Sequence, residues 1–397
     1  MNRNILSLAV TASVAGLVAT SAQSAMHTNE KGLGETLIYP FYSAVGGNDT
    51  IIHVANTTEW SKVVKVRFLD ALNSTEVLDF NLYLSPYDMW TAAVTQLPAH
   101  SNNGGFPGGV GIRTNDNSCT VPSLGAQNAE NFNGQALDAD GASVDTLSDT
   151  VALREQPFVD FEFRRNAAFA FPGNTTYPAE VEITDVAIRG TQGYIEIIEM
   201  GVLDPDMDTG TVGGAADFDY NAAVIHGANG YPANCAALQA AWSGTGVWGG
   251  GLPQTDILVD TTGDSAGGLY GLGQIINVED GTLASYDAVA IDDFTDPLVG
   301  IVHTSPGTTS PSLGDGQDIA TIFDGAAAVD YDFSASGNTF DATSALFMTT
   351  KLQNDYIIDP EVAGQTDWVI TMPTKKAHVF ADRATGAFAA ADPARVA

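Results

Sequence analysis

"KVVKVRFLD", residues 62–70, places Val64, Val66 and Phe68 at alternate positions with Lys65 and Arg67 between them. Strand side chains alternate between two faces with period two, so this spacing predicts a strand with one apolar and one polar face. "VLDFNLYL", residues 77–84, repeats it, with Leu78, Phe80, Leu82 and Leu84 opposed by Asp79, Asn81 and Tyr83. In "DTIIHVANTT", residues 49–58, Ile52 and Val54 oppose Ile51 and His53. The runs are separated by Gly46-Gly47-Asn48-Asp49, Asn56-Thr57-Thr58, Asn73-Ser74 and Ser85-Pro86, all residues that favour turns. Short strands at this spacing describe an antiparallel sandwich. Residues 26–100 are therefore read as an immunoglobulin-like β-sandwich.

"SNNGGFPGGVGIRTNDNSC", residues 101–119, is too rich in glycine and asparagine for regular structure and marks a domain boundary. Beyond it, "FVDFEFRR", "AEVEITDVAIRG", "GYIEIIEMGVL", "TDILVDT", "GQIINVE", "SYDAVAIDDF" and "TDWVITMP" read as further strands joined by Gly- and Asp-rich loops. Helical spacing is confined to "NCAALQAAW", capped by Asn234, and "TSALFMTTKLQNDY", with Thr343 or Ser344 as cap. Residues 101–397 are expected to form a larger β-rich domain with two short helices, and the whole chain is read as all-β with minor α. No repeat of 20 to 50 residues is visible, which argues against a solenoid.

At the start of the chain, Arg3 precedes an apolar run from Ile5 to about Ala19 and then small residues, the layout of a secretory signal peptide over residues 1–25. Cleavage fits after Ala22, Ser24 or Ala25. The apolar run is shorter than the ~20 residues that span a bilayer, so export is expected rather than anchoring. The destination is then the cell surface or the extracellular space, with the periplasm as the other exported compartment. In such a compartment the two cysteines, Cys119 and Cys235, are expected to form one disulfide.

Charge limits the partners. The chain has 15 Lys and Arg against 48 Asp and Glu, a net charge of −33. No Lys or Arg occurs between Arg189 and Lys351, where 22 acidic residues fall. Such a surface repels nucleic acid and anionic lipid, and it attracts divalent cations or suits a saline setting. Asp204, Asp206 and Asp208 in "LDPDMDTG" have the one-three-five spacing of a Ca²⁺ loop. Thr209 and Ala215 then occupy the positions of the loop's glycine and bidentate glutamate, so Asp217 and Asp219 are the residues that could complete a different Ca²⁺ cage. Asp138 with Asp140, and Asp315 with Asp318, are weaker acidic groupings.

"GDSAG", residues 263–267, spells the G-x-S-x-G of a serine-hydrolase elbow at Ser265. An elbow needs a helix after its serine, whereas "GLYGLGQII" offers glycines and β-branched residues, so a glycine-rich turn is the expected structure. The six histidines show no metal-binding spacing, and neither a P-loop nor a Rossmann fingerprint is present. Glu196 and Glu199 in "GYIEIIEMG" are three apart, which in a strand puts them on opposite faces. One of them is expected to point inward and pair, with Arg189 or Arg164 as the candidate partner.

"GLGETLIYPFYS", "VKVRFLDALNSTEVLDFNLYLSPYDMWTAAV", "NSCTVPS", "GYIEIIEMG", "NGYPANCAAL", "GGLYG", "INVEDGTLASYDAVAI" and "TDWVITMPTKK" together span most of the mature chain. In these segments the sequence resembles a family of exported cell-surface proteins from Gram-negative, often aquatic, proteobacteria. The resemblance implies export and a surface role and transfers no catalytic residue. Similar proteins run on further after "PTKK" than this chain does.

The combined expectation is a non-enzymatic structural or adhesive protein that could self-assemble into a layer, fibre or matrix through sandwich edge strands. A Ca²⁺-dependent module for extracellular glycans or other polymers is the first alternative, and a serine hydrolase using Ser265 the second.

Overall fold

In a computed structural model of the chain, the described residues are 25–71, 76–97, 109–122, 190–204, 218–244, 266–295, 303–324, 327–335, 339–348, 368–382 and 387–390, with short pieces at 74, 124, 154–157, 211–212, 215–216, 246–249, 257–258, 356 and 358–359. The N-terminal half contains β1 (His27–Thr28), β2 (Leu33–Gly34), β3 (Thr36–Ser43), β4 (Asn48–Asn56), β5 (Lys62–Asp70), β6 (Glu76–Leu84), β7 (Met89–Leu97), β8 (Gly109–Thr114), β9 (Cys119–Val121), β10 (Arg154–Pro157) and β11 (Gln192–Leu203). There follow β12 (Thr211–Val212), β13 (Ala215–Ala216), α1 (Tyr220–Val224), α2 (Cys235–Ala241), β14 (Ile257–Leu258), β15 (Leu269–Asn277), β16 (Thr282–Asp287) and β17 (Val289–Asp292). The chain then forms β18 (Ile319–Asp324), β19 (Ala327–Asp332), α3 (Thr339–Leu346), α4 (Lys375–His378), β20 (Val379–Asp382) and β21 (Ala387–Ala390).

Two antiparallel sheets face each other. One is eight-stranded, ordered β1-β17-β3-β11-β5-β6-β9 with β14 also on β11; the other is seven-stranded, ordered β10-β8-β7-β4-β15-β16 with β2 also on β15. The period-two pattern decides which side chains meet between them. Val64, Val66, Phe68, Leu78, Phe80 and Ile197 from the first sheet pack with Ile52, Val54, Trp90, Val94 and Leu269 from the second. Burial of this apolar surface is the main favourable contribution to the fold. β16 runs directly into β17 through Ala288, so the chain passes there from one sheet to the other, with the Ala288 N–H on the Gly271 carbonyl (2.9 Å).

The boundary expected at residue 100 does not separate two cores. β11 is inserted between β3 and β5, and β15 lies beside β4, so strands from beyond residue 190 complete both sheets. Residues 26–100 hold only part of each sheet, because β3 and β5 meet through β11 rather than with each other. At the centre of this arrangement Gly193 allows a close approach: a Cβ there would lie 1.9 Å from the Leu69 carbonyl oxygen and 2.7 Å from the Tyr42 ring.

The polar face expected for β5 and β6 is also not solvated, since every residue of both strands is buried. The covering layer is the segment 303–313 together with α1 and α2. Val63, Tyr83, Met200 and Leu203 form a second apolar cluster with Tyr220, Leu238 and Trp248. The Cys119–Cys235 disulfide forms as expected, linking β9 to the first turn of α2 across a sequence separation of 116. Asn234 caps α2 by accepting from the Ala237 N–H.

The other helix differs from expectation. α3 begins at Thr339, which places Thr343 and Ser344 inside it rather than at its cap. Thr343 is buried and donates to the Leu313 carbonyl (2.8 Å), and the N–H groups of Phe347 and Met348 close the last turn on Ser344 and Ala345. "TDWVITMP" is corrected as well: Trp368–Met372 lies in no strand, with Trp368, Val369, Ile370 and Met372 each at least half exposed. Its anchors are the Thr371 hydroxyl on the Pro40 carbonyl and the Tyr194 hydroxyl on the Pro373 carbonyl. Pro40 has no N–H to offer a strand partner at that point.

Candidate binding cleft at one end of the sandwich

Asn56, the last residue of β4, is buried and organises the loops around it. Its Nδ2 donates to the carbonyls of Trp60 (2.6 Å) and Ser85 (2.9 Å), while its Oδ1 accepts from the Thr58 N–H (3.0 Å) and hydroxyl (2.7 Å). One side chain therefore satisfies the backbone of two loops that would otherwise depend on solvent. The Thr57 N–H and hydroxyl hold the Gly268 carbonyl at 3.0 and 2.7 Å, which ties in the turn before β15.

The second loop is a tight turn, Ser85-Pro86-Tyr87-Asp88, closed by the Asp88 N–H on the Ser85 carbonyl (3.2 Å). Asp88 Oδ2 accepts from the Ser85 N–H (3.1 Å), and the Tyr87 N–H donates to the Thr58 carbonyl (3.1 Å). Tyr87 has φ +57° and is 71% exposed. Glycine or asparagine is favoured in that conformation after a proline.

These loops and α1 frame a cleft of about 310 Å³ lined by Glu59, Trp60, Ser61, Pro86, Leu203 and Asn221. Asn221 is positioned by its helix, whose cap Asp219 accepts from the Ala222 N–H (2.7 Å), and by the Ser61 hydroxyl, which donates to Asn221 Oδ1 (2.6 Å). The disulfide and the second apolar cluster fix α1 and α2 against β6 and β9. A third loop joins through His226, whose Nδ1 is 2.9 Å from Ser85 Oγ and whose Nε2 is 3.0 Å from Asn117 Oδ1. Asn117 Nδ2 in turn donates to the Gly230 carbonyl (2.5 Å), beside the half-exposed Tyr231.

Ser85, His226 and Asp88 are the residue types of a hydrolytic relay, in which serine and carboxylate occupy different imidazole nitrogens. Here both face Nδ1, with Asp88 Oδ2 at 3.6 Å, so the grouping braces the loop without lining up a proton path. At Ser344, His378 and Asp341 the nitrogens are divided, with Nε2 2.7 Å from Ser344 Oγ and Nδ1 3.7 Å from Asp341 Oδ1. Ser344 Oγ, however, donates to the Phe340 carbonyl (2.6 Å), the ordinary bond of a serine inside a helix. It is left to accept from His378 instead of delivering a proton to it.

Beneath the segment 303–313, the outer face of β5, β6 and β11 carries a buried set of charges. Arg67 Nε bonds Glu76 Oε2 (2.7 Å) and its Nη1 bonds Glu196 Oε2 (2.6 Å). The Lys65 ammonium donates to the Ser305 carbonyl (2.7 Å) and to Thr308 Oγ1 (3.3 Å), and Asn81 Nδ2 to the Thr304 carbonyl (2.9 Å). Burial pulls the Lys65 ammonium below its ordinary range, against the opposing pull of Asp79 and Glu76. His303, enclosed by Trp242 and Trp248 with Nε2 3.2 Å from the Tyr83 hydroxyl, is pushed down to about 3 by burial and by Lys65. Toward the core side, Lys62 Nζ pairs with Glu199 Oε1 (2.8 Å), and nearby Glu35 is pushed up to about 8 by burial and by Glu199.

Both Glu196 and Glu199 are thus buried and paired, on opposite sides of the sheet as their spacing predicts. Among the described residues their partners are Arg67 and Lys62, because β5 is the neighbour of β11; Arg189 and Arg164, the expected partners, lie outside the described residues. Of the acidic residues assigned to Ca²⁺, Asp206, Asp208 and Asp217 lie outside the described residues, as do Asp138 and Asp140; Asp204 follows β11 and Asp219 caps α1. Asp315 accepts from the Ser312 N–H and hydroxyl at 2.7 and 2.8 Å. Among the described residues no three His, Cys, Asp or Glu side chains are grouped to hold a metal ion. Ser265 and residues 1–24 also lie outside the described residues; Gly267 and Gly268, both at φ +74°, lead into β15, where an elbow would begin a helix. No described helix is long and apolar enough to cross a membrane.

Glu59, Asn221 and Tyr87 were not marked by any sequence motif. The usable signal was "SPYD", a turn whose proline is followed by an aromatic where glycine is expected. Compared with known proteins, the chain matches no family model, no curated protein and no solved structure.

Proposed function

We propose that the protein is a non-enzymatic exported component of the bacterial cell surface that adheres through the loop end of its sandwich. The observation that carries this reading is the display of Tyr87 and Tyr231, both exposed, on loops that hydrogen-bond one another and are locked to the core by Asn56 and the disulfide, with exposed Met89 and Ile225 at the adjoining ends of β7 and α1. Rigid loops with exposed aromatic side chains lose little conformational freedom on binding, which favours adhesion. The signal-peptide pattern and the family resemblance supply the location. Incubating the purified mature protein with intact cells and envelope fractions tests the reading: co-sedimentation that saturates supports it, and recovery wholly in the supernatant overturns it.

Self-association is a second way to build a surface layer, supported by β16, which pairs only with β15 among the described strands, where no residue is fully buried and Leu283 is 61% exposed. Unpaired edges are templates for pairing between chains. Sedimentation velocity across a hundredfold concentration range, with and without millimolar Ca²⁺, tests it; a single monomeric species throughout removes it.

A further inference from the structure

We infer that the cleft beside the Ser85–Asp88 turn binds a neutral, hydroxyl-rich pyranose polymer, with the Tyr87 ring as stacking platform and Glu59 and Asn221 as the groups that bond sugar hydroxyls. The inference rests on the adhesive reading above and names its ligand.

Tyr87 carries the most weight. Its ring is 71% exposed, so it contributes little to the core, and its φ of +57° strains a side chain where glycine would sit without cost. A residue that strains the backbone and buries little is placed for something outside the molecule. The turn is held at three points, by Asn56 Nδ2, by Asp88 and by the Thr58 carbonyl, so the ring projects from a fixed base. Pro86, its neighbour, lines the cleft.

The lining defines the chemistry of the occupant. About 310 Å³ is the lower end of the range for small-molecule sites and suits one ring of a chain that continues past it. Trp60 and Pro86, both partly exposed, give it apolar surface for the C–H face of a sugar, with the buried Leu203 behind them. Glu59 supplies acceptors for sugar hydroxyls. Asn221 Oδ1 is already engaged by Ser61, which leaves its NH₂ to donate. A ring bearing hydroxyls that both donate and accept matches this pair.

Charge separates neutral from acidic polymers. The loops 56–61 and 85–88 and the stretch 219–231 contain no Lys or Arg, in a chain of net charge −33. A sulfated or uronic-acid polymer would bring anions toward Glu59, Asp88 and Asp219 with no Lys or Arg in these loops to receive them. Tyr231, on the loop tethered through Asn117, gives the same end of the molecule a second exposed ring.

The test is retention of the mature protein on microcrystalline cellulose, chitin and agarose beads, with heparin and polygalacturonate beads as acidic comparisons. Retention on at least one neutral matrix, none on the acidic ones, and a loss of affinity of at least about tenfold in Tyr87→Gly are expected. Because glycine relieves the turn, that variant should melt no lower than the parent, so lost retention cannot be ascribed to unfolding. Glu59→Gln should weaken retention in the same direction. Unchanged retention of Tyr87→Gly overturns the assignment to this cleft, and retention only on acidic beads overturns the ligand class. A parent protein that ignores all neutral matrices yet still sediments with cells overturns this inference and leaves the adhesive reading standing; if it does neither, both fall.

Discussion

Glu35 and His303 are buried groups whose titrations act on stability in opposite directions. Glu35 titrates near 4.5 when unfolded and at about 8 in the folded protein, so the unfolded chain releases its proton first as pH rises. Stability from this group is full below about pH 4.5 and is lost progressively up to about pH 8. Glu35→Gln, which keeps an acceptor for the Thr295 N–H, should remove that loss. Its melting temperature relative to the parent should climb between those limits, by the equivalent of a few kcal/mol at most. A difference that stays flat with pH would contradict the assignment. For His303 the folded value, about 3, lies below the ordinary 6.5, so its contribution is present above 6.5 and lost as pH falls. Its ring should show no protonation in an NMR titration down to about pH 4. Arg67 presents a different case, since it holds two buried carboxylates at once. Arg67→Leu takes the guanidinium from both, and a loss of about 3–5 kcal/mol in denaturant unfolding is expected.

At the scale of elements, β11 and the α1–α2 unit have the largest consequences. Gly193 lies where β11 passes between β3 and β5, and a methyl group there meets the Leu69 carbonyl. Gly193→Ala should therefore destabilise by more than the ~0.5 kcal/mol of ordinary surface changes, with Gly244→Ala, whose site is open and whose backbone is not left-handed, as the comparison. The disulfide holds α2 and, through the shared cluster, one wall of the cleft. Replacing Cys119 and Cys235 by alanine should cost up to about 4–5 kcal/mol on the chain-entropy account. Limited proteolysis should then cut first between α1 and α2. Several of these elements were legible from the residues alone. The alternation in β4, β5 and β6, the Asn234 cap and the cysteine pair all rest on local chemistry. Lys65 and Arg67 misled because alternating charge on a strand ordinarily marks solvent, whereas here a segment some 240 residues away in sequence lies over it. "TDWVITMP" misled in the other way, since an apolar run satisfies a strand pattern whether or not an edge is free to receive it.

The whole molecule differs from its sequence reading chiefly in how its parts depend on one another. An isolated fragment of residues 26–100 should be unfolded, because the strands that separate β3 from β5 and flank β4 come from beyond it. Dispersed amide resonances from that fragment would show that the sheets close differently. The cleft was not legible because its walls come from four separated stretches, and the φ of Tyr87 leaves no mark in a sequence. Thr50 stands opposite Ile275, and His27 opposite Asp292. Neither sheet can therefore close before the ribosome has made the chain as far as β16 and β17. Contacts of such long range form slowly. The growing chain stays open until β17 has been made, the state in which a polypeptide can be threaded through a membrane pore; the same open chain leaves the edge of β4 bare and exposed to aggregation.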